Sequence, residues 1–306
     1  MDRKLRKMHS SSFVYFMAVA SEGSFRGAAR KLSTAPSAVN RRVLELEKEL
    51  GFSLFDRHGR TTKLAGAGEI LFKHCMNTVH SFEDAMEALA ALKQLRTGIV
   101  RIGASESFAA EIAPQVATQF SSKYPGITLQ CSVDNSDNIV RAIENDEIDV
   151  GFTFGQLNLS KLRVIARMEL PIGAVVGPKH PLAKRRSVSL RDCFQYPLIV
   201  PQSGLSFRKR LDRATGRFLE QNESVIIASS PRFMVGAARR NTHIIFQTSI
   251  GLSDDLKRGH LVFVSINDKS LSNDTCAIIA SQRSRGRFAV EQFCEVARDA
   301  LKSVTG

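Results

Sequence analysis

No stretch of this chain approaches the roughly 20 consecutive apolar residues that a helix needs to cross a bilayer, so no membrane partner is expected. Cysteine is scarce. The five present (Cys75, Cys131, Cys193, Cys276, Cys294) are odd in number, widely scattered and without C-x-x-C spacing. That argues against a disulfide framework and a zinc ribbon, and it fits a reducing cytosol in which each is a small buried hydrophobe. Catalytic signatures are missing as well. The seven histidines are scattered, with His74 and His80 six apart, the wrong spacing for H-E-x-x-H. There is no G-x-S-x-G and no P-loop G-K-[ST], and Gly66-Ala67-Gly68 is too short for a dinucleotide fingerprint. No cofactor, metal set or catalytic residue is expected.

Acidic residues are in short supply, 30 against 43 Lys and Arg, for a net charge of +13. The imbalance is concentrated. Residues 1–65 hold 13 basic and 6 acidic residues, so the first fifth of the 306-residue chain carries more than half of the excess. A basic segment of this kind points to a polyanionic partner, nucleic acid ahead of a membrane surface. The length leaves room for about two domains.

The segment Arg6 to Phe25 has two incompatible readings. A basic start followed by an apolar run from Phe13 to Ala20 imitates an export signal. Phe13, Phe16, Met17 and Ala20 also fall at i, i+3, i+4 and i+7, one face of a helix, with Ser10, Ser11 or Ser12 to cap it and Gly23 to end it. The next forty residues favour the helix. Ser24 caps a second short helix with Phe25, Ala28, Ala29 and Leu32 inward. A third opens at Ser33 or Thr34 with Pro36 in its first turn, buries Val39, Val43, Leu46 and Leu50, and stops at Gly51. Two helices joined by a short turn, the second presenting Ser37, Asn40 and Arg41 near its start, form a helix-turn-helix, whose second helix enters the DNA major groove. Arg57, Arg60 and Lys63 around His58-Gly59 read as a β-hairpin wing that contacts phosphate or the adjacent minor groove. Cleavage after Ala20 would delete the core of this unit, so the protein is expected to stay in the cytoplasm. Ser24, Pro36, Ser37, Asn40, Arg41, Arg57, Arg60 and Lys63 are the DNA-contact candidates.

These residues also resemble a family. The motifs G-S-F, A-A-x-x-L, S-A-V-x-R, L-E-x-E-L-G and L-F-x-R within residues 23–68 are similar to the winged helix-turn-helix of the LysR-type transcriptional regulators. Two departures stand out. Ala35-Pro36-Ser37-Ala38 replaces the family's usual Ser-Gln-Pro-Ala, which removes a frequent base contact, and Lys63-Leu64-Ala65-Gly66 lacks the usual threonine after leucine. The operator sequence therefore does not transfer from relatives that keep the glutamine.

From Glu69 to Leu95 there is neither proline nor glycine, and Leu71, Cys75, Val79, Phe82, Met86, Leu89 and Lys93 recur near heptad spacing. This predicts a linker helix, residues 66–96, that pairs with a second copy; packing on its own chain stays open. The resemblance implies the same, a dimer or tetramer. After Gly98 short β-branched runs alternate with helical segments, an α/β layering with mainly parallel strands, in which ligands bind at the carboxyl ends of strands.

By position, the ligand candidates are Ser105, Ser107, Thr153, Gln202, Ser203, Ser206, Phe246 and Gln247, whose hydroxyls near helix starts suit a carboxylate or other small anion. The resemblance implies that residues 97–306 form a two-lobed effector domain like periplasmic solute-binding proteins, binding a small-molecule inducer. Lobe I would be 97–169 plus 275–306 and lobe II 170–274. An activator would also meet RNA polymerase. Two readings compete: an exported solute-binding protein, which leaves the basic helix-turn-helix unexplained, and an α/β enzyme, for which no nucleophile or metal set is present. An intact N-terminus on the mature protein and sequence-specific DNA binding separate them.

Overall fold

The computed structural model describes residues 11–56, 62–92, 97–155, 162–203, 206–216, 225–268, 271 and 273–303. The chain forms two compact units, Met1–Leu89 and Ala90–Gly306.

The first unit holds helices α1 (Ser11–Glu22), α2 (Phe25–Leu32) and α3 (Pro36–Leu50), a two-stranded antiparallel pair β1 (Phe55–Asp56) and β2 (Lys63–Leu64), and the long helix α4 (Gly66–Leu92). Apolar spacing decides the packing. Phe16, Val19, Ala28, Val39 and Val43 meet in one core, and Gly23, at φ +61°, lets the chain leave α1. Ser24 caps α2 as expected, its hydroxyl accepting from the Gly27 amide at 3.0 Å.

Three expectations are corrected here. The N-cap of α3 is Ala35, with no side-chain hydrogen bond, rather than Ser33 or Thr34. Ser33 instead takes the left-handed conformation (φ 52°), and the amides of Ser33 and Thr34 are used on the last carbonyls of α2. Reversing the chain in so few residues leaves neither side chain in place to cap α3. Leu50, expected inside, is 39% exposed, because the last turn of α3 runs beyond the face that α1 and α2 cover. The third correction concerns α4. It spans Gly66–Leu92, and Cys75 and Val79 of the expected seam pack into the helix-turn-helix core of the same chain, with Leu71 and Phe82 against them. Leu89 is 56% exposed; Lys93 lies outside the described residues. Gly68 marks where α4 starts against the wing: a Cβ there would stand 2.0 Å from the Leu54 carbonyl oxygen. Glu47 of α3 holds the same junction by accepting from the Leu54 amide at 2.7 Å.

In the second unit the chain runs β3 (Gly98–Ala104), α5 (Glu106–Ala109), α6 (Ile112–Lys123), β4 (Ile127–Val133), α7 (Ser136–Glu144), β5 (Val150–Phe154) and β6 (Leu162–Pro171). It continues with β7 (Gly173–Val176), β8 (Ser187–Val188), α8 (Leu190–Cys193), β9 (Leu198–Pro201), α9 (Ser206–Thr215), β10 (Val225–Ala228) and α10 (Pro231–Ala238). It ends with β11 (Ile245–Gln247), α11 (Ser253–Lys257), β12 (Val262–Ile266), β13 (Asn273–Ser281) and α12 (Phe288–Lys302).

One lobe is a five-stranded sheet in the order β4-β3-β5-β13-β6. Phe108, Phe120, Phe152 and Phe293 fill its core, while Ile139 and Ile143 of α7 pack against Ala277 and Ile279. Gly151 permits that second contact, since a Cβ would lie 2.6 Å from Ile143 and 2.7 Å from Ile139. The other lobe has the sheet β11-β7-β12-β8 beside the parallel pair β9-β10. The chain passes between lobes after Pro171 and again between Ile266 and Asn273.

The sheets are mixed, not mainly parallel. β13, returning from the second lobe, inserts antiparallel to both β5 and β6, and β7 is antiparallel to β11 and β12. Strand β6 escapes the sequence reading because Arg163, Arg167 and Glu169 interrupt its apolar pattern on a half-exposed edge. Cys131 is also exposed on the edge strand β4, whereas the other four cysteines are buried as expected. Burial pushes the Cys193 and Cys276 thiols up to about 12 and those of Cys75 and Cys294 up to about 11.

Candidate functional site

The start of α3 stands in solvent. Pro36 occupies the first turn, Ser37 is exposed, Asn40 is half-buried, and Arg41 is 71% exposed with Glu45 at 3.7 Å as a loose i,i+4 partner. Such an exposed pair contributes little, so the Arg41 guanidinium is free to turn to a stronger anion. Lys63 is exposed on β2; Arg57 and Arg60 lie outside the described residues. The Ser24 hydroxyl is occupied by its cap. Two cations that the sequence reading passed over join this face. Arg26 and Arg30 of α2 are exposed and, with Thr34 and Ala35, line a shallow depression beside the uncapped start of α3. Their i,i+4 spacing opposite Ala28 and Ala29 is the signal that could have found them.

In the second unit a cavity of about 720 Å³ opens between the lobes. Its walls come from the carboxyl ends of strands, where backbone N–H groups and helix starts converge: Ser105–Ser107 after β3, Val133–Asn138 after β4, Phe154 ending β5, Pro201–Ser203 after β9, Ser229 after β10 and Phe246–Thr248 closing β11. Of the expected residues, Ser105, Ser107, Gln202, Ser203, Phe246 and Gln247 line it together. Thr153 does not; it is fully buried, with its hydroxyl donating to the Phe154 carbonyl at 3.4 Å, because its side chain falls on the packed face of β5. Ser206 opens α9, and its side chain is not among those described.

Residues 11–69 match the model of the bacterial regulatory helix-turn-helix protein, lysR family, and residues 93–302 match the LysR substrate binding domain. The chain belongs to the LysR family. It is similar to a probable RuBisCO transcriptional regulator of Cyanidioschyzon merolae, 30% identical over 295 residues that cover 92% of this chain and 94% of the relative. A protein of the same description from Chlorokybus atmophyticus is 27% identical over 292 residues, 91% of each chain. Among solved structures, a full-length OxyR variant from Pseudomonas aeruginosa superposes with TM-score 0.68 at 17% identity, over 96% of this chain and 95% of that one. Full-length CbnR complexed with its target DNA gives 0.64 at 17% identity, over 96% and 100%. This LysR-family chain is a DNA-binding transcriptional regulator with an effector-binding domain. Among its described residues no helix is long and apolar enough to cross a membrane.

Several lining residues of this cavity were not legible as site residues. The stretch Asp134–Asn138 with Arg141, the acid Glu106, and Ser229, Thr248 and Asp274 all reach it. The polar turn after β4 obeys the same end-of-strand rule as the expected residues and could have been found by it. Asp274 could not, since it lies where the chain crosses between lobes. Arg210 donates to Asp274 at 2.6 Å, but burial outweighs that pull and moves the Asp274 carboxyl above the usual carboxylate range. With four carboxylates and one guanidinium in the lining, the charge runs against the small anion that the hydroxyls alone suggested.

Proposed function

We propose that this LysR-family regulator grips an interrupted inverted repeat as a dimer or tetramer. The DNA-contact set is Pro36, Ser37, Asn40 and Arg41 of α3 with Lys63, Arg57 and Arg60 of the wing; Ser24 acts by fixing α2. The observation that carries this reading is the solvent-facing start of α3, where Arg41 is 71% exposed and Pro36 lines one depression with Arg26 and Arg30 of α2. A small organic effector occupies the cavity and shifts the balance between lobe arrangements, which requires it to prefer one of them. The working division is 1–65 for the DNA-binding domain, 66–96 for the linker and dimerisation helix, and 97–306 for the effector domain, with lobes 97–169 plus 275–306 and 170–274. The protein acts in the cytoplasm and meets RNA polymerase where it activates.

The test is binding of the full chain to the DNA upstream of its own gene and to a scrambled duplex, across a salt series, for wild type and Arg41→Ala. If Arg41 reads a base, the variant loses about 1–3 kcal/mol on the native duplex and little on the scrambled one. If it contacts phosphate, both duplexes weaken alike and the salt slope falls by about one. Wild-type-like binding on both duplexes would remove Arg41 from the interface.

A further inference from the structure

We propose that the effector of this cavity carries a protonated amine, held by the carboxylates of the first lobe over a phenylalanine floor; this rests on the cavity being the effector site. Two of the helix starts where an anion would dock, those of α10 and α7, already have the chain's own acids beside them. Glu106 accepts from the Arg232 amide at 3.2 Å and from the Ser230 hydroxyl at 2.8 Å, closing the start of α10. Asp134 accepts from the Asn135 amide and the Asn138 side chain, both at 2.7 Å, at the start of α7. Asp137, in the first turn of α7, adds a third charge on the same side. Asp274 is balanced by Arg210. Arg141 is exposed and donates to Asn138 and to the Asp137 carbonyl. After these pairings the lining keeps an excess of negative charge, which attracts a cation and repels a carboxylate.

Two further observations point to a ligand at this spot. Ser105 lines the cavity, is only 8% exposed, and its hydroxyl has no hydrogen-bond partner among the described residues, so a polar atom from a bound molecule would satisfy it. Phe154, Phe207 and Phe246 line the same space, and aromatic faces favour an ammonium that sheds part of its water. The second lobe contributes neutral amides and hydroxyls, Gln202 and Ser203 among them, suited to a hydroxyl or carbonyl at the far end of the molecule.

The experiment is calorimetric titration of the full chain with three probes of one skeleton: 2-phenylethylamine, free phenylalanine and 3-phenylpropanoate. The amine binds about ten-fold or more tightly than the carboxylate, with the zwitterion between, and Asp134→Asn with Asp137→Asn erases the difference. The carboxylate binding as tightly as the amine, an unchanged preference in that variant, or no binding by any probe at millimolar concentration overturns the amine. Ser229→Trp, which narrows the cavity from an exposed position, separates the two readings. Carboxylate binding lost in Ser229→Trp keeps the effector site and rejects the amine; amine binding that survives it rejects the site.

Discussion

Replacing Asp149 with alanine removes the carboxylate that ties three parts of the five-stranded lobe together. Asp149 accepts from the Arg287 guanidinium at 2.7 Å through one oxygen and from the Arg101 amide at 2.8 Å through the other. Arg287 also donates to the Ile99 carbonyl at 2.8 Å, so β3, the entry to β5 and the start of α12 share one network. The two side chains are 10% and 11% exposed. Asp149→Ala takes a carboxylate away from a nearly buried guanidinium and from a backbone N–H, and breaking a buried pair from one side costs about 3–5 kcal/mol. Hydrogen exchange of peptides covering β3 and β5 in the full chain reads this locally. Their opening should rise by roughly two to three and a half powers of ten, at about 1.4 kcal/mol per power. Arg287→Met alone should be similarly disruptive, and the double variant should cost less than the sum of the two, because it removes both members of one nearly buried pair together. A change below about 1 kcal/mol in Asp149→Ala, or strict additivity in the double variant, would refute the account.

Three other outcomes rest on local geometry. Gly68→Ala forces a Cβ to within 2.0 Å of a carbonyl oxygen and should destabilise the first unit strongly, whereas Gly236→Ala meets nothing within 4 Å inside α10 and should stabilise by roughly 0.5–1 kcal/mol; thermal unfolding separates the signs. His180 is buried against Tyr196, and burial holds its pKa below the ordinary value of about 6.5. The unfolded chain therefore binds the proton first: stability is full above about 6.5 and falls as the pH drops toward the folded value. His180→Phe should lose less stability than wild type between about pH 7.5 and 5.5; an equal loss would move the effect elsewhere. Under native conditions Cys131, exposed on β4, should react fastest with a thiol reagent, and Cys131→Ser should abolish that fast phase.

Much of the first unit was legible because its signals are local. The Phe16, Val39 and Val43 spacings, the Ser24 cap and the Gly23 and Gly51 stops each act within a turn or two of helix. Where the reading slipped, a distant partner decided. Cys75 and Val79 fit a seam for a second copy equally well until Phe16 and Leu54 closed around them. Thr153 followed a strand as a ligand residue should, and the pleat turned it inward. The direction of β13 depended on the route back from the other lobe.

The sequence by itself determined the helix-turn-helix, the long helix, most of the alternating strands and helices after Gly98, and the resemblance to LysR-type regulators, because spacing, caps and motifs act over a few residues. Only the tertiary structure decided which of many strand ends form one cavity and what charge it carries. Glu106, Asp134, Asp137 and Asp274 come from three separate segments, one of them a crossing between lobes. The field inside a cavity is a sum over whatever the fold brings together, and no local pattern states which acids will converge.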